Sequence, residues 1–156
     1  MKALILENLP GDATIVRIHV SGDFFSEAYF LAWMDVATIR ASVVFYAYTK
    51  SVSFWIRNRD HVPSNVNLTA SFGGKHDASI EKEGLKSAKV VITEQEAADL
   101  GLDIDHDDKL AYGSKGSFAL LLHGTQKAGT PSAKAWSALK AEGRGGYSRK
   151  NAYVTA

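Results

Sequence analysis

The chain has 156 residues, 46% of them hydrophobic, with 18 Lys and Arg against 17 Asp and Glu and no cysteine. That length suits one domain with a sizeable core, and a net charge of +1 gives no global pull toward nucleic acid or membrane. Without cysteine there is no disulfide, no thiolate zinc site, no cysteine nucleophile and no cysteine-ligated iron–sulfur cluster; the sequence assigns no other cofactor or metal.

The opening MKALILE holds an apolar run at residues 3–6 that is shorter than a signal peptide's. No stretch approaches the ~20 apolar residues of a spanning helix, so a cytoplasmic protein with no membrane partner is expected. After the turn signal Leu9-Pro10-Gly11-Asp12, residues 16–50 read as strand, helix, strand. In the first strand Arg17, His19, Ser21 and Asp23 share one face, and Val16, Ile18, Val20 and Gly22 the other. Residues 26–40 lack Gly and Pro, open on a Ser26 N-cap followed by Glu27, and set Phe30, Trp33, Met34 and Ala37 at helical spacing. The second strand, 43–50, puts Phe45 and Ala47 on one face and Tyr46, Tyr48 and Lys50 on the other. A helix between two such strands predicts a right-handed parallel crossover.

Phe54, Trp55 and Ile56 suit a short helical turn before the break at Pro63-Ser64-Asn65. A third strand, 66–72, sets Leu68, Ala70 and Phe72 against Asn67, Thr69 and Ser71, and Gly73-Gly74 ends it. Residues 77–85 predict a short helix capped by Asp77 and closing at Gly84, and 88–92 a short buried strand. Thr93-Glu94-Gln95-Glu96 matches a capping box for a helix ending at Gly101. Residues 102–117 read as loop or hairpin, and 118–122 as the last and most apolar strand. Thr130-Pro131 opens a final helix with Ala133, Trp136 and Leu139 on its apolar face. The pattern predicts a single α/β domain over residues 1–143, with about five mainly parallel strands and crossover helices, nearer to part of a βα barrel than to a complete doubly wound sheet. A loosely ordered basic tail, 144–156, follows.

Several stretches carry a family resemblance. Residues 17–24, the Tyr29-Phe30 and Ala32-Trp33 pairs, and Tyr46-Ala47-Tyr48-Thr49-Lys50-Ser51 resemble the phage and plasmid gene product 88 family. Ser71-Phe72-Gly73-Gly74, His106-Asp107-Asp108, His123-Gly124-Thr125-Gln126 and Ala128-Gly129 fit the same pattern, so the resemblance covers most of residues 14–147. It implies a phage- or plasmid-type protein and no particular reaction. Longer members carry a cysteine-containing region upstream of the first matching strand, so this chain resembles a shortened form or a C-terminal piece.

Parallel strands covered by helices on both faces usually read as continuous apolar runs, yet three of these carry polar positions. Those positions suggest a face lining a wet, concave lumen, and ligands of parallel βα architectures sit at the carboxyl ends of the strands. Asp23, Lys50, Ser71, Gly73, Gly74 and His123 would then lie near one another. In the functional reading His19, Asp23, Lys50 and His123 form a catalytic set: a histidine transfers a proton or ligates a metal, Asp23 orients or ligates, and Lys50 binds an anion. Arg17, Ser21, Tyr48, Ser71, Gly73, Gly74 and Gln126 are the candidate substrate-binding residues. In the alternative reading the same groups form a buried polar network that satisfies itself.

Other apparent motifs fail. Residues 94–108 hold seven carboxylates, but a calcium loop would need Gly where Asp108 stands and Glu where Ser114 stands, so a solvated acidic loop is expected. Gly73-Gly74-Lys75 lacks the spacing of a phosphate-binding loop. From Lys134 to Lys150 five basic residues and Tyr147 stand against one acid, a pattern that suits nucleic acid and equally a solvated helix face with a flexible tail. An incomplete barrel leaves open sheet edges, which predicts a homo-oligomer or a protein partner covering an edge. Two functions fit: an enzyme or enzyme remnant acting on a phosphate-bearing or nucleic-acid substrate, or a non-catalytic accessory protein that binds a host or phage protein.

Overall fold

The computed structural model describes residues 1–113, 116–122 and 128–141, apart from the side chains of Pro131, Ser132 and Leu139. In chain order its elements are α1 (Lys2–Asn8), β1 (Ile15–Arg17), α2 (Glu27–Ile39), β2 (Val44–Thr49), α3 (Val52–Arg57), a 3-10 turn (Arg59–His61) and β3 (Val66–Ser71). There follow α4 (Asp77–Lys82), β4 (Ser87–Val91), α5 (Glu94–Asp99), α6 (Lys109–Tyr112), β5 (Phe118–Leu121) and α7 (Pro131–Ala141). The strands are ordered β1-β2-β3-β4-β5. The first three pairings are parallel, with Ile15 opposite Val44, Phe45 opposite Val66 and Ala70 opposite Ser87. A strand order that follows chain order without reversal is that of a βα-barrel segment, not of a doubly wound sheet with its switch point. The α/β class, the parallel pairing and the crossover helices are therefore as the sequence predicts.

The chain divides into two compact units, one of Met1–Lys89 with Asp107–Phe118 and one of Val90–His106 with the chain from Ala119 on. In the first unit α2 starts where Ser26 Oγ accepts the Tyr29 amide at 3.2 Å. Its buried stripe of Phe30, Trp33, Met34, Val36 and Ala37 packs against Phe45 and Ala47 of β2 and Val66 and Leu68 of β3. Its last turn leaves carbonyls without helical donors. Asn65 supplies one, its Nδ2 donating to the carbonyls of Ala37 (3.0 Å) and Val43 (2.8 Å). In the second unit Val91, Ala97 and Ala119 form a small core with Leu102, Ile104 and Leu121. Thr93 Oγ1 caps α5 by accepting the Glu96 amide at 3.1 Å.

Two helices stand where no helix was expected from the sequence. Residues 2–8 form α1, which has no fully buried residue, yet Ile5 and Leu6 pack on the α2 core. Seven residues are too few for a stable isolated helix, so docking rather than propensity decides the matter. Within the expected loop, Lys109–Tyr112 form α6. Part of the acidic segment is also paired, through an isolated parallel bridge between Ile104 and Ala119.

Candidate functional site

The predicted polar face of β1 ends early. The strand stops at Arg17, so alternation no longer governs His19. Its ring packs edge-on to Phe24 at 4.7 Å and lies 5.7 Å from Tyr29 of α2. Both ring nitrogens are shut off from solvent and have no hydrogen-bond partner. Burial lowers the pKa of His19, and the nearby charge of Asp23 offsets this in part. Because the folded pKa lies below the ordinary value, the unfolded chain takes up the proton first as pH falls; the stability held above that value is lost on acidification. We expect the thermal midpoint to fall between roughly pH 7.5 and pH 5 more steeply for the wild type than for His19→Leu, which has no proton to gain. Parallel midpoint curves would show that His19 is not a source of the acid sensitivity.

Asp23 joins two strand-end connections. Its Oδ1 accepts the Phe24 amide (2.7 Å) and the Thr49 hydroxyl (2.6 Å), and its Oδ2 accepts the Lys50 amide (2.6 Å). Ser51 extends the join, its hydroxyl donating to the Phe24 carbonyl at 2.9 Å. Asp23 and Lys50 are thus brought together, through the backbone of Lys50 rather than its ammonium.

That ammonium points instead toward the connection after β3. A Cβ built on Gly73 would stand 3.2 Å from Lys50 Nζ, and Gly73 itself has φ +91°, so a side chain there is excluded twice over. The amides of Gly73 and Gly74, which could have held an anion, donate to the Asp77 carboxylate at 2.8 and 2.9 Å. Those bonds hold the Asp77 pKa below its ordinary value, with a smaller contribution from Lys50. Asp77 is therefore the first residue of α4, reaching back over the loop, and His76 takes the N-cap position expected for Asp77.

The polar faces of β1 and β2 converge on a residue outside the predicted set. Asp108 Oδ2 accepts from Arg17 Nη1 (2.9 Å) and Tyr46 Oη (2.9 Å), while its Oδ1 accepts from Tyr48 Oη (3.1 Å). The Arg17 guanidinium also lies over the Tyr48 ring, 5.1 Å from its centroid. Burial, aided by the bond to Asp108, raises the Tyr46 pKa to about 12, so its hydroxyl remains a donor at neutral pH. Asp108 caps α6 with φ +62°, and the far end of α6 is held by Lys86, whose Nζ donates to the carbonyls of Leu110 (2.6 Å), Ala111 (2.8 Å) and Gly113 (2.6 Å). The face expected to line a wet lumen is here covered by the chain's own helical turn.

Among the other candidates, Ser21 is exposed and Ser71 half-buried at the end of β3. His123 and Gln126 lie outside the described residues, as does most of the basic segment; Lys134 and Lys140 are exposed on α7, the latter 5.5 Å from the Trp136 ring centroid. Among the described residues no group of three or more His, Asp or Glu is placed to hold a metal ion. No described helix is long and apolar enough to cross a membrane.

A family model described as Gene product 88 matches residues 2–144. The chain belongs to the gene product 88 family. The match takes in every site residue discussed above and reaches back through α1, ahead of the stretch that carries the resemblance in the sequence. No curated protein and no solved structure gave a match.

Sequence reasoning missed Asp108, Asp77 and Lys86. Asp108 had a usable signal, because it stands where a calcium loop would need Gly, and Asp is one of the few residues that tolerate the left-handed backbone it adopts. Asp77 lies within four residues of a Gly-Gly pair, a spacing that suits a side chain folding back on loop amides. Lys86 had no local signal, since its acceptors lie more than twenty residues away.

Proposed function

We propose that this member of the gene product 88 family is a non-catalytic accessory protein that binds another protein through the connection between β1 and α2. The observation that carries the reading is the exposure of Val20 (87%) and Phe25 (73%) on that connection. Single exposed apolar side chains are ordinary, but two on one short connection are not costless in water. This connection is also braced: Asp23 lies between them with its three short bonds, and Phe25 stacks on Tyr29 at 4.5 Å. A braced apolar loop loses little freedom on binding, which favours affinity. It lies next to β1, an end strand of the sheet order, where Ile15 is also exposed. The partner is a folded host or phage protein with a complementary apolar patch.

Against the enzymatic reading stand the engagements of the candidate groups. The Asp23 carboxylate is committed to three donors, Asp77 takes the loop amides, and the His19 nitrogens are out of reach of solvent. A general acid or base must reach the proton it moves.

The test uses the full chain and Val20→Ser/Phe25→Ser, whose thermal midpoint should fall only slightly, because both sites are exposed and the Phe25–Tyr29 stack is a modest contribution. Proteins captured by the wild type from host cells should be lost with the double variant by at least about tenfold, the effect of removing an apolar contact worth ~1.4 kcal/mol. Equal capture by both would overturn the reading, and concentration-dependent sedimentation abolished by the same substitutions would identify the partner as a second copy.

A further inference from the structure

Three donors from two strands meet on one carboxylate in the first unit. Arg17, Tyr46 and Tyr48 all donate to Asp108, and no donor in the set comes from Asp108's own helix. A guanidinium flanked by two hydroxyls is the donor set that recognises carboxylate or phosphate. A fourth group lies on the same face. Thr69 is opposite Tyr48 in the parallel register, so the two side chains point the same way from the sheet. Thr69 is only 1% exposed, and its hydroxyl has no hydrogen-bond partner. A buried unmade hydrogen bond of this kind costs roughly 1–3 kcal/mol and asks for an explanation.

The occupant is not ideal for the site. Asp108 accepts from Arg17, Tyr46 and Tyr48 but leaves the Thr69 hydroxyl unmatched, and its left-handed backbone, φ +62°, is one that glycine adopts with less strain. It is also within reach of solvent, with 26% of its side chain exposed and 36% of that of Arg17. A phosphate group has the charge for Arg17 and enough oxygens for both tyrosines and Thr69.

We propose that Arg17, Tyr46, Tyr48 and Thr69 form a latent binding site for a phosphate group, kept closed by the chain's own Asp108. The tethered carboxylate acts at high effective concentration, so inorganic phosphate does not displace it from the wild type, and a ligand opens the site only by adding contacts of its own. In this arrangement α6 is a self-bound cover, held at its N-terminal end by Asp108 and at its C-terminal end by Lys86.

The probe is inorganic phosphate, and the variant is Asp108→Gly, which removes the carboxylate and suits the positive φ. Calorimetry at low salt should show phosphate binding at least tenfold tighter to Asp108→Gly than to the wild type, and Arg17→Met in the Asp108→Gly background should remove that gain. Phosphate should raise the thermal midpoint of the single variant and leave that of the double variant unchanged. If Asp108→Gly does not fold, Asp108→Asn takes its place, since Asn tolerates the same backbone and lacks the charge. A folded variant with phosphate affinity no better than the wild type's would overturn the proposal. So would a midpoint shift that chloride reproduces at equal ionic strength, or failure of both variants to fold in high phosphate, because a fitting anion would replace the lost partner.

Discussion

Replacing Phe45 by Ala is expected to lower the unfolding free energy by roughly 3–5 kcal/mol, a large part of the ~5–15 kcal/mol that holds a typical domain. Phe45 is fully buried near the start of β2, where it meets the α2 stripe and lies 6.2 Å from the Trp33 ring. Strands β1 and β3 flank it, pairing it with Val16 and Val66, so neither side of the cavity can collapse without shifting a hydrogen-bonded neighbour. The cost of a core truncation rises with the volume left unfilled. Trp33→Ala provides the comparison. Trp33 is 8% exposed and its Nε1 has no partner, so its removal also relieves an unmade hydrogen bond and its loss should be the smaller. Urea denaturation of both variants checks the order; a loss below about 1 kcal/mol at both would mean that the parity of β2 against α2 is misassigned.

What the sequence made legible follows from how local each determinant is. The register of α2 and the two faces of β2 are written in side-chain spacing, and burial agrees: Phe45 and Ala47 are buried against the helix, while Tyr46 and Tyr48 turn to Asp108. Alternation is an instruction only while the backbone remains extended. Past Arg17 it does not, and the predicted company of His19 with Arg17 gives way to an aromatic cluster with Phe24 and Tyr29. The short helices α3, α4 and α5 were legible from their turn and cap signals, whereas α6 was not. A four-residue turn such as α6 has no period to read, and its stability comes from Arg17, the tyrosines and Lys86, all distant in sequence. Polar positions on strands were rightly singled out as unusual, and the sequence left open whether a ligand or the chain itself would meet them. On Tyr46 and Tyr48 it is Asp108 that does so.

Asp23→Ala is expected to cost about 2–4 kcal/mol, as breaking charge-assisted hydrogen bonds at a partly buried site does, and to do so through two connections at once. Its carboxylate is the shared acceptor for Phe24, which opens the approach to α2, and for Thr49 and Lys50, which close β2. Thr49 is 2% exposed and cannot turn to water for a replacement, and its Oγ1 in turn accepts the Ser51 amide at 2.9 Å, so the loss propagates into the start of α3. Asp23→Asn is the informative partner. An amide keeps one acceptor oxygen but turns a donor toward one of three groups that are themselves donors in these bonds, so it should recover only part of the loss. A catalytic aspartate would behave differently, because removing its charge would abolish turnover while leaving the midpoint of unfolding nearly in place. Thermal and urea unfolding of the wild type, Asp23→Asn and Asp23→Ala should therefore fall in that order. If Asp23→Ala unfolds with the wild-type midpoint, Asp23 is not the brace of the β1–α2 connection, and the ordered display of Val20 and Phe25 loses its physical support.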